Sequence, residues 1–325
     1  MARTMIARSQ VFQVTLVAGL LCATLALAQE QGSSNQERGS SNQERGSGNH
    51  SEGSIKTDSN AIKAKKQLPN VDVYKEYDRH RSVVYATRED DVKLLCDVFL
   101  PKGKGPFPTI LMIHGGAWRS GTKLHMKGHA ETAAKKGFVA ISINYRHAPR
   151  YKWPAQIDDC KSAMDWLLKN SEKYKIDKSR IAVWGYSAGG HLATYLAMKP
   201  SKQSERAPIR CVVCGGGIVD LTLFPKDFPF LIYFMGATRR QAPDKYKQAS
   251  PLTHLSKGDP PMFFYHGDKD MVAPLSGVKS LVSKANELGI KCEFMLVPNK
   301  EHILTFFDQQ SYDKGLEFIE KELAK

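Results

Sequence analysis

The chain has 325 residues, 42% of them hydrophobic and 25% charged, and a net charge of +14. That length holds one large α/β domain with room for extra segments. The charge does not by itself signal a nucleic-acid partner, because the lysines are scattered and no recognised nucleic-acid motif accompanies them; a basic surface is the simpler reading, with acidic polysaccharide or wall material left as a possible attractor.

Residues 1–28 read as an export signal. Arg3 and Arg8 give a basic start, Val11 to Leu27 is mostly apolar, and Ala26-Leu27-Ala28 offers small residues for cleavage before Gln29. The apolar stretch is about the shortest that spans a bilayer, so an uncleaved anchor is the alternative. After cleavage the net charge is +12, no stable membrane insertion is expected, and the protein is expected to be secreted or periplasmic. Six cysteines fall to five, so at least one thiol stays unpaired in an oxidising compartment. Residues 29–71 read as a disordered low-complexity linker. They contain the tandem repeat Gly32-Ser-Ser-Asn-Gln-Glu-Arg38 and Gly39-Ser-Ser-Asn-Gln-Glu-Arg45, and so few apolar residues cannot offset the entropy of ordering. The folded domain is expected over 72–325.

An antiparallel pair, Val83 to Tyr85 and Leu94 to Leu100, leads into that domain. Phe107 to Ile113 then reads as a buried strand running straight into His114-Gly115-Gly116-Ala117-Trp118. Glycines after such a strand let backbone N–H groups turn toward a substrate, which makes those of Gly116 and Ala117 candidate oxyanion donors. His114 leads the glycine pair and reads as a loop-ordering residue; Trp118 either closes a pocket or supports the loop. His125 and His129 have metal spacing on a helix face, but no carboxylate or third ligand accompanies them, so no metal is expected. Phe138 to Asn144 reads as a strand, and Pro154 to Asn170 as an amphipathic helix carrying Ile157, Ala163, Met164, Trp166 and Leu167.

The apolar run Ile181-Ala182-Val183-Trp184 leads directly into Gly185-Tyr186-Ser187-Ala188-Gly189, and a helical pattern follows to Met198. Strand, turn and helix around G-x-S-x-G have the form of a nucleophile elbow, in which a strained turn lifts the serine hydroxyl clear of the sheet. The flanking glycines have a steric reason, since a Cβ at either would meet neighbouring backbone. The helix adds partial positive charge at its N-terminus, and the N–H of Ala188 is a third candidate oxyanion donor. Ser187 is the candidate nucleophile. A pentapeptide of common residues is weak by itself, and a serine capping a helix after a Gly-rich turn is the bland alternative, so its partners must decide.

Ile209 to Cys214 reads as a strand holding Cys211 and Cys214 about 10 Å apart, beyond the reach of about 7 Å for a disulfide; both are expected in the core. Leu221 to Leu255 carries Phe224, Phe228, Phe230, Leu231, Tyr233, Phe234 and Met235, a small apolar cap that either lines an acyl pocket or packs on the core. Pro261 to His266 is another buried strand, followed by Gly267-Asp268-Lys269-Asp270. An aspartate at a strand's C-terminal edge can orient a histidine. Asp270, followed by the anchoring turn Met271 to Pro274, is preferred, with Asp268 and Asp220 as alternatives. A helix from Leu275 to Leu288, an edge strand from Ile290 to Val297, a loop ending at His302 and a helix from Asp308 to Leu323 complete the chain. His302, beyond the last strand, is the candidate base. Alternating strands and helices imply a mostly parallel sheet covered on both faces, with chemistry at the strands' C-terminal ends.

From His114 onward the chain resembles the carboxylesterase branch of the α/β-hydrolase superfamily, near the hormone-sensitive-lipase-like and acetyl-xylan-esterase-like esterases. The matching stretches are His114 to Trp118, Asn144-Tyr145-Arg146, Trp153 to Asp159, Gly185 to Gly190, Ser250-Pro251, His266 to Asp270 and His302. The resemblance implies an α/β-hydrolase fold with a mostly parallel eight-stranded sheet, helices on both faces and a small cap segment. The chain order Ser187, Asp270, His302 is the one that fold imposes. It also implies ester hydrolysis through an acyl-serine intermediate without metal or organic cofactor. His147 stands where an apolar residue often follows Tyr-Arg, and Glu301-His302-Ile303 lacks the glycines often found there; both departures touch loop shape. The expectation is an exported serine esterase acting on short-chain or acetyl esters, with a small-molecule or polysaccharide ester as substrate. A serine peptidase of the prolyl-oligopeptidase type and a non-catalytic binding module are the alternatives. The first usually adds a large propeller domain, and the second predicts loss of a triad member. Oligomeric state is left open.

Overall fold

The structure, a computed structural model, describes residues 71–73, 76–198 and 209–325. The expected export signal, 1–28, and the expected linker, 29–71, lie outside the described residues save for Val71.

The leading hairpin is longer than the apolar residues suggest. Strands β2 (Tyr77–Thr87) and β3 (Lys93–Pro101) pair antiparallel, and β1 (Val71–Val73) adds to the outer side of β2. Six further strands follow: β4 (Phe107–Ile113), β5 (Val139–Ile143), β6 (Ile176–Tyr186), β7 (Ile209–Gly215), β8 (Met262–Gly267) and β9 (Cys292–Val297). They form one nine-stranded sheet in the order β1-β2-β3-β5-β4-β6-β7-β8-β9. The eight strands expected are β2 to β9; the ninth is the short edge strand β1. From β5 to β9 neighbouring strands run parallel, whereas β3 meets β5 antiparallel.

The interior strands read as unbroken apolar runs because both faces are covered. In β4, Ile110 and Met112 enter a core shared with α1 (Lys127–Lys135) and α9 (Gln309–Leu323), while Leu111 and Ile113 are equally buried on the other face. That second face is covered by α3 (Ala188–Ala197), which packs on β6 and β7, and by α2 (Ala155–Lys169), which packs on α3. Asp308 accepts the Ser311 N–H at 2.9 Å and so fixes the start of α9.

Between β7 and β8 the chain builds the cap. It comprises a 3-10 turn (Leu221–Leu223) and three short helices, α4 (Pro229–Met235), α5 (Pro243–Ala249) and α6 (Pro251–His254), each opened by a proline whose missing N–H costs nothing there. Leu231, Phe234 and Met235 pack inward and are almost fully buried; Tyr233 on the same helix is exposed. Helices α7 (Leu275–Glu287) and α8 (His302–Phe306) flank β9 in sequence.

Strand β4 lies between β5 and β6, so the connections β4–β5 and β5–β6 run in opposite directions along the sheet. In an open α/β sheet such a reversal leaves a crevice at the strands' C-terminal ends. No helix among the described residues is long and apolar enough to cross a membrane. The five described cysteines form no disulfide, and Cys211 and Cys214 are fully buried in β7.

Candidate active site

Ser187 joins β6 to α3 with φ 56° and ψ −121°, a backbone conformation that a residue bearing a Cβ seldom adopts. The turn is held from both sides. The Ser187 N–H donates to the Gly215 carbonyl at 2.8 Å, and its carbonyl accepts the His191 N–H at 3.0 Å. A Cβ on Gly185 would lie 2.0 Å from the Gly189 carbonyl oxygen, and one on Gly189 would lie 2.1 Å from that of Ile113. The two motif glycines therefore permit the close backbone approach on which the elbow depends.

His302 bridges the serine and an aspartate. Its Nδ1 lies 2.6 Å from Asp270 Oδ2, and its Nε2 lies 2.8 Å from Ser187 Oγ. A carboxylate only accepts, so Nδ1 carries the ring proton and bare Nε2 faces the serine hydroxyl as acceptor. Asp270 Oδ1 accepts the N–H groups of Val272 and Ala273 at 2.8 and 2.9 Å, which is the anchoring turn expected after it. Burial of this carboxylate pushes its pKa up, but the adjacent His302 and His266 and its hydrogen bonds prevail and hold it below the usual aspartate value. Asp268 is exposed, and Asp220 is occupied capping the 3-10 turn at the Thr222 N–H, so neither alternative acid meets His302. His302 was expected in a loop and instead opens α8. Thr305 returns both its N–H and its hydroxyl to the Glu301 carbonyl, which closes a helical turn.

The loop after β4 faces this line. Gly116, Ala117 and Trp118 all have positive φ, at 124°, 51° and 58°. The Gly116 carbonyl accepts the N–H groups of Arg119 and Ser120, both at 3.0 Å, which closes the loop on itself. Among the described residues the N–H groups of Gly116 and Ala117 have no acceptor. Ala188, the first residue of α3, has an N–H outside the helix ladder. A Cβ on Gly115 would lie 3.1 Å from Ser187 Cβ, so the loop and the elbow are in direct contact.

Histidines and aromatics hold this arrangement. His114 is buried and its Nδ1–H donates to the Gly115 carbonyl at 2.7 Å, while its ring stacks on Tyr145 at 4.3 Å. Burial drives its pKa down to about 3, so it stays neutral and orders the loop. Trp118 is also buried. Its indole N–H donates to His191 Nδ1 at 3.1 Å, and His191 Nε2–H donates to the Ala249 carbonyl at 2.7 Å. Loop, elbow helix and cap are thus tied together, and Trp118 supports the loop. His125 lies beside the His114 ring, whereas His129 packs on Tyr312; among the described residues no group of three metal-ligating side chains is placed to hold an ion.

Three further residues escape sequence reasoning. The Tyr186 hydroxyl donates to the His302 carbonyl. His266 shares its Nε2–H between the Ala273 carbonyl at 3.1 Å and Asp270 Oδ2 at 3.2 Å. Gly216, with φ 50°, leaves space where a Cβ would lie 3.0 Å from His302 Cε1. The run Gly215-Gly216-Gly217 is the one signal that points to any of them.

Known proteins are similar to this chain in sequence and in fold. The probable carboxylic ester hydrolase LipM of Mycobacterium tuberculosis is 32% identical over 201 residues, 57% of this chain and 46% of that protein. Esterase LipC of the same organism is 33% identical over 227 residues, 63% of this chain and 56% of that protein. The chain spans about half the length of these relatives. A truncated carbohydrate esterase from gut microbiota superposes with a TM-score of 0.69 at 27% identity, covering 79% of this chain and 99% of that one. The BD-FAE family profile matches residues 96–285, well over half of the chain, and takes in the elbow and Asp270. With these matches and the sheet described above, the chain belongs to the BD-FAE family of α/β-hydrolases.

Proposed function

We propose that the chain is a serine esterase hydrolysing carboxylic esters. The observation that carries this reading is the unbroken hydrogen-bonded line Ser187–His302–Asp270, set on a strained elbow beside N–H groups without acceptors. His302 Nε2 takes the hydroxyl proton as Ser187 Oγ bonds to the ester carbonyl carbon, and the carbonyl electron pair moves onto oxygen. The N–H groups of Gly116, Ala117 and Ala188 donate to that oxyanion. The tetrahedral species then expels the alcohol, which leaves with the proton from His302, and Ser187 is acylated. Water repeats the sequence with His302 as base, releasing the carboxylic acid and restoring the serine. Asp270 remains ionised throughout and balances the transient imidazolium, the role its lowered pKa suits.

A short acyl group is favoured because the protein fills the space beside the oxyanion loop itself. Trp118 and Phe234 stack there at 4.2 Å, both buried. A carbohydrate alcohol is supported by the similarity to a carbohydrate esterase. Acetylated polysaccharide also suits the export that the first 28 residues suggest. All three members of the line are present and in contact, which supports an enzyme over a binding module.

Ser187→Ala is expected to lower kcat for p-nitrophenyl acetate by about 10⁵- to 10⁶-fold and to abolish labelling by a fluorophosphonate probe. A folded variant with wild-type turnover would remove the proposal. Acetylated xylan, longer acyl esters and peptides, assayed side by side, separate acetyl esterase from long-chain esterase and from peptidase.

A further inference from the structure

The cap contains a second cleft of about 620 Å³, and none of Ser187, Asp270 and His302 lines it. Its lining carries four cations, Lys226, Arg239, Arg240 and Lys247, against one carboxylate, Asp220. Asp220 Oδ1 is engaged by the N–H and hydroxyl of Thr222 at 2.8 and 2.7 Å. Arg240 and Lys247 pair with Asp227 and Asp244 in exposed contacts at 2.9 and 3.6 Å, which water screens. Lys226 and Arg239 have no carboxylate partner among the described residues.

Those two cations are held together. The Arg239 N–H donates to the Lys226 carbonyl at 3.0 Å, and Arg239 Nη2 donates to the Phe224 carbonyl at 3.0 Å. The Arg239 Nε–H is buried without an acceptor among the described residues, a costly state that leaves this guanidinium with a donor to satisfy. A guanidinium that lines the cleft, anchored by one nitrogen and with its Nε–H unsatisfied, is suited to carboxylate or sulfate oxygens.

Aromatic packing separates the cleft from the loop after β4. From Phe224, whose carbonyl holds Arg239, ring contacts run through Phe228 at 5.2 Å to Phe230 at 5.8 Å. The Arg119 guanidinium, one residue past Trp118 in the oxyanion loop, lies 5.3 Å from the Phe230 ring and 4.5 Å from that of exposed Tyr233. Helix α4 therefore stands between the loop after β4, met by Phe230 and Tyr233, and the cleft wall, met through buried Phe228 and Phe224. No aromatic ring lines the cleft, which argues against stacked nucleobases.

We propose that the cap cleft is a second carbohydrate subsite, which takes an anionic group, a uronate carboxylate or a sulfate, on the saccharide whose ester is presented to Ser187. The carbohydrate part rests on the esterase reading above; the anion site does not depend on turnover. The test is calorimetric titration of the full chain at low salt with oligogalacturonate, a sulfated oligosaccharide and neutral xylohexaose. One or both acidic ligands should bind, which identifies the anion, and xylohexaose should bind at least tenfold more weakly. The double variant Lys226→Gln, Arg239→Gln should lose about tenfold or more in affinity for the acidic ligand and keep wild-type turnover of p-nitrophenyl acetate. Unchanged affinity in the double variant, or equal binding of xylohexaose, would overturn the proposal. Failure of the esterase reading shows separately, as full activity in Ser187→Ala.

Discussion

Gly216 sets how closely the end of β7 approaches the base. Its φ of 50° is left-handed, and a Cβ there would lie 2.9 Å from the Tyr186 hydroxyl and 3.0 Å from His302 Cε1. Both neighbours belong to the hydrogen-bonded set around Ser187, so neither can withdraw without tilting the imidazole. Gly216→Ala is expected to lower kcat on p-nitrophenyl acetate by about 100-fold, the effect of a misplacement near 1 Å, with KM little changed. A variant with wild-type kcat would show that the imidazole has room to spare. At this scale the sequence points to Ser187, Asp270 and His302 as candidates, because each follows a strand that is recognisable from its own neighbours. Tyr186 and His302 are 116 positions apart, and nothing local to either announces their contact. His266 is hidden for a similar reason: it reads as the end of a strand, and its role depends on the fold of the turn after it.

Among the elements, the loop after β4 and α3 are coupled by a buried hydrogen bond, from the Trp118 indole to His191. Trp118→Phe keeps an aromatic ring against Phe234 but leaves His191 Nδ1 buried without a donor. The expected loss is about 1–3 kcal/mol, read as a lower urea midpoint with an unchanged slope; an unchanged midpoint would mean that another donor reaches His191. Most strands are legible in the sequence because strands buried on both faces are continuous apolar runs. Helix α1 is not, since it meets the sheet through Ala130, Ala133 and Ala134, whose small side chains give no strong apolar stripe. Helix α8 is a single turn, shorter than any window in which a helical period can register. The cap helices are also short, at four to seven residues, and the sequence does not reveal which of their aromatic residues face inward. The structure separates them, with Phe234 buried and Tyr233 exposed on one helix.

Across the whole molecule, buried histidines make the fold sensitive to acid. Burial drives the pKa of His114 to about 3 and those of His129 and His191 to about 4. An unfolded chain would titrate these rings near 6.5. Below that pH the unfolded state binds protons that the folded state refuses, so stability present above pH 6.5 is lost as the pH falls toward 4. With three such groups the loss approaches about 4 kcal/mol per pH unit in the middle of that window. The lowered carboxyls Asp97 and Asp270 add loss of the same sign at lower pH. Urea unfolding at pH 7 and pH 5 should give a clearly lower midpoint at pH 5; equal midpoints would mean that these histidines titrate as exposed ones do. The assembled site also has a consequence in time. Its parts come from residues 116–117, 187–188, 270 and 302 of a 325-residue chain, and a ribosome makes them in that order. While residues 188 to 269 are being made, the elbow serine therefore has neither acid nor base beside it. On the proposed mechanism its reactivity begins only once His302 has been made and seated beside it, and a product that stops short of His302 lacks the base.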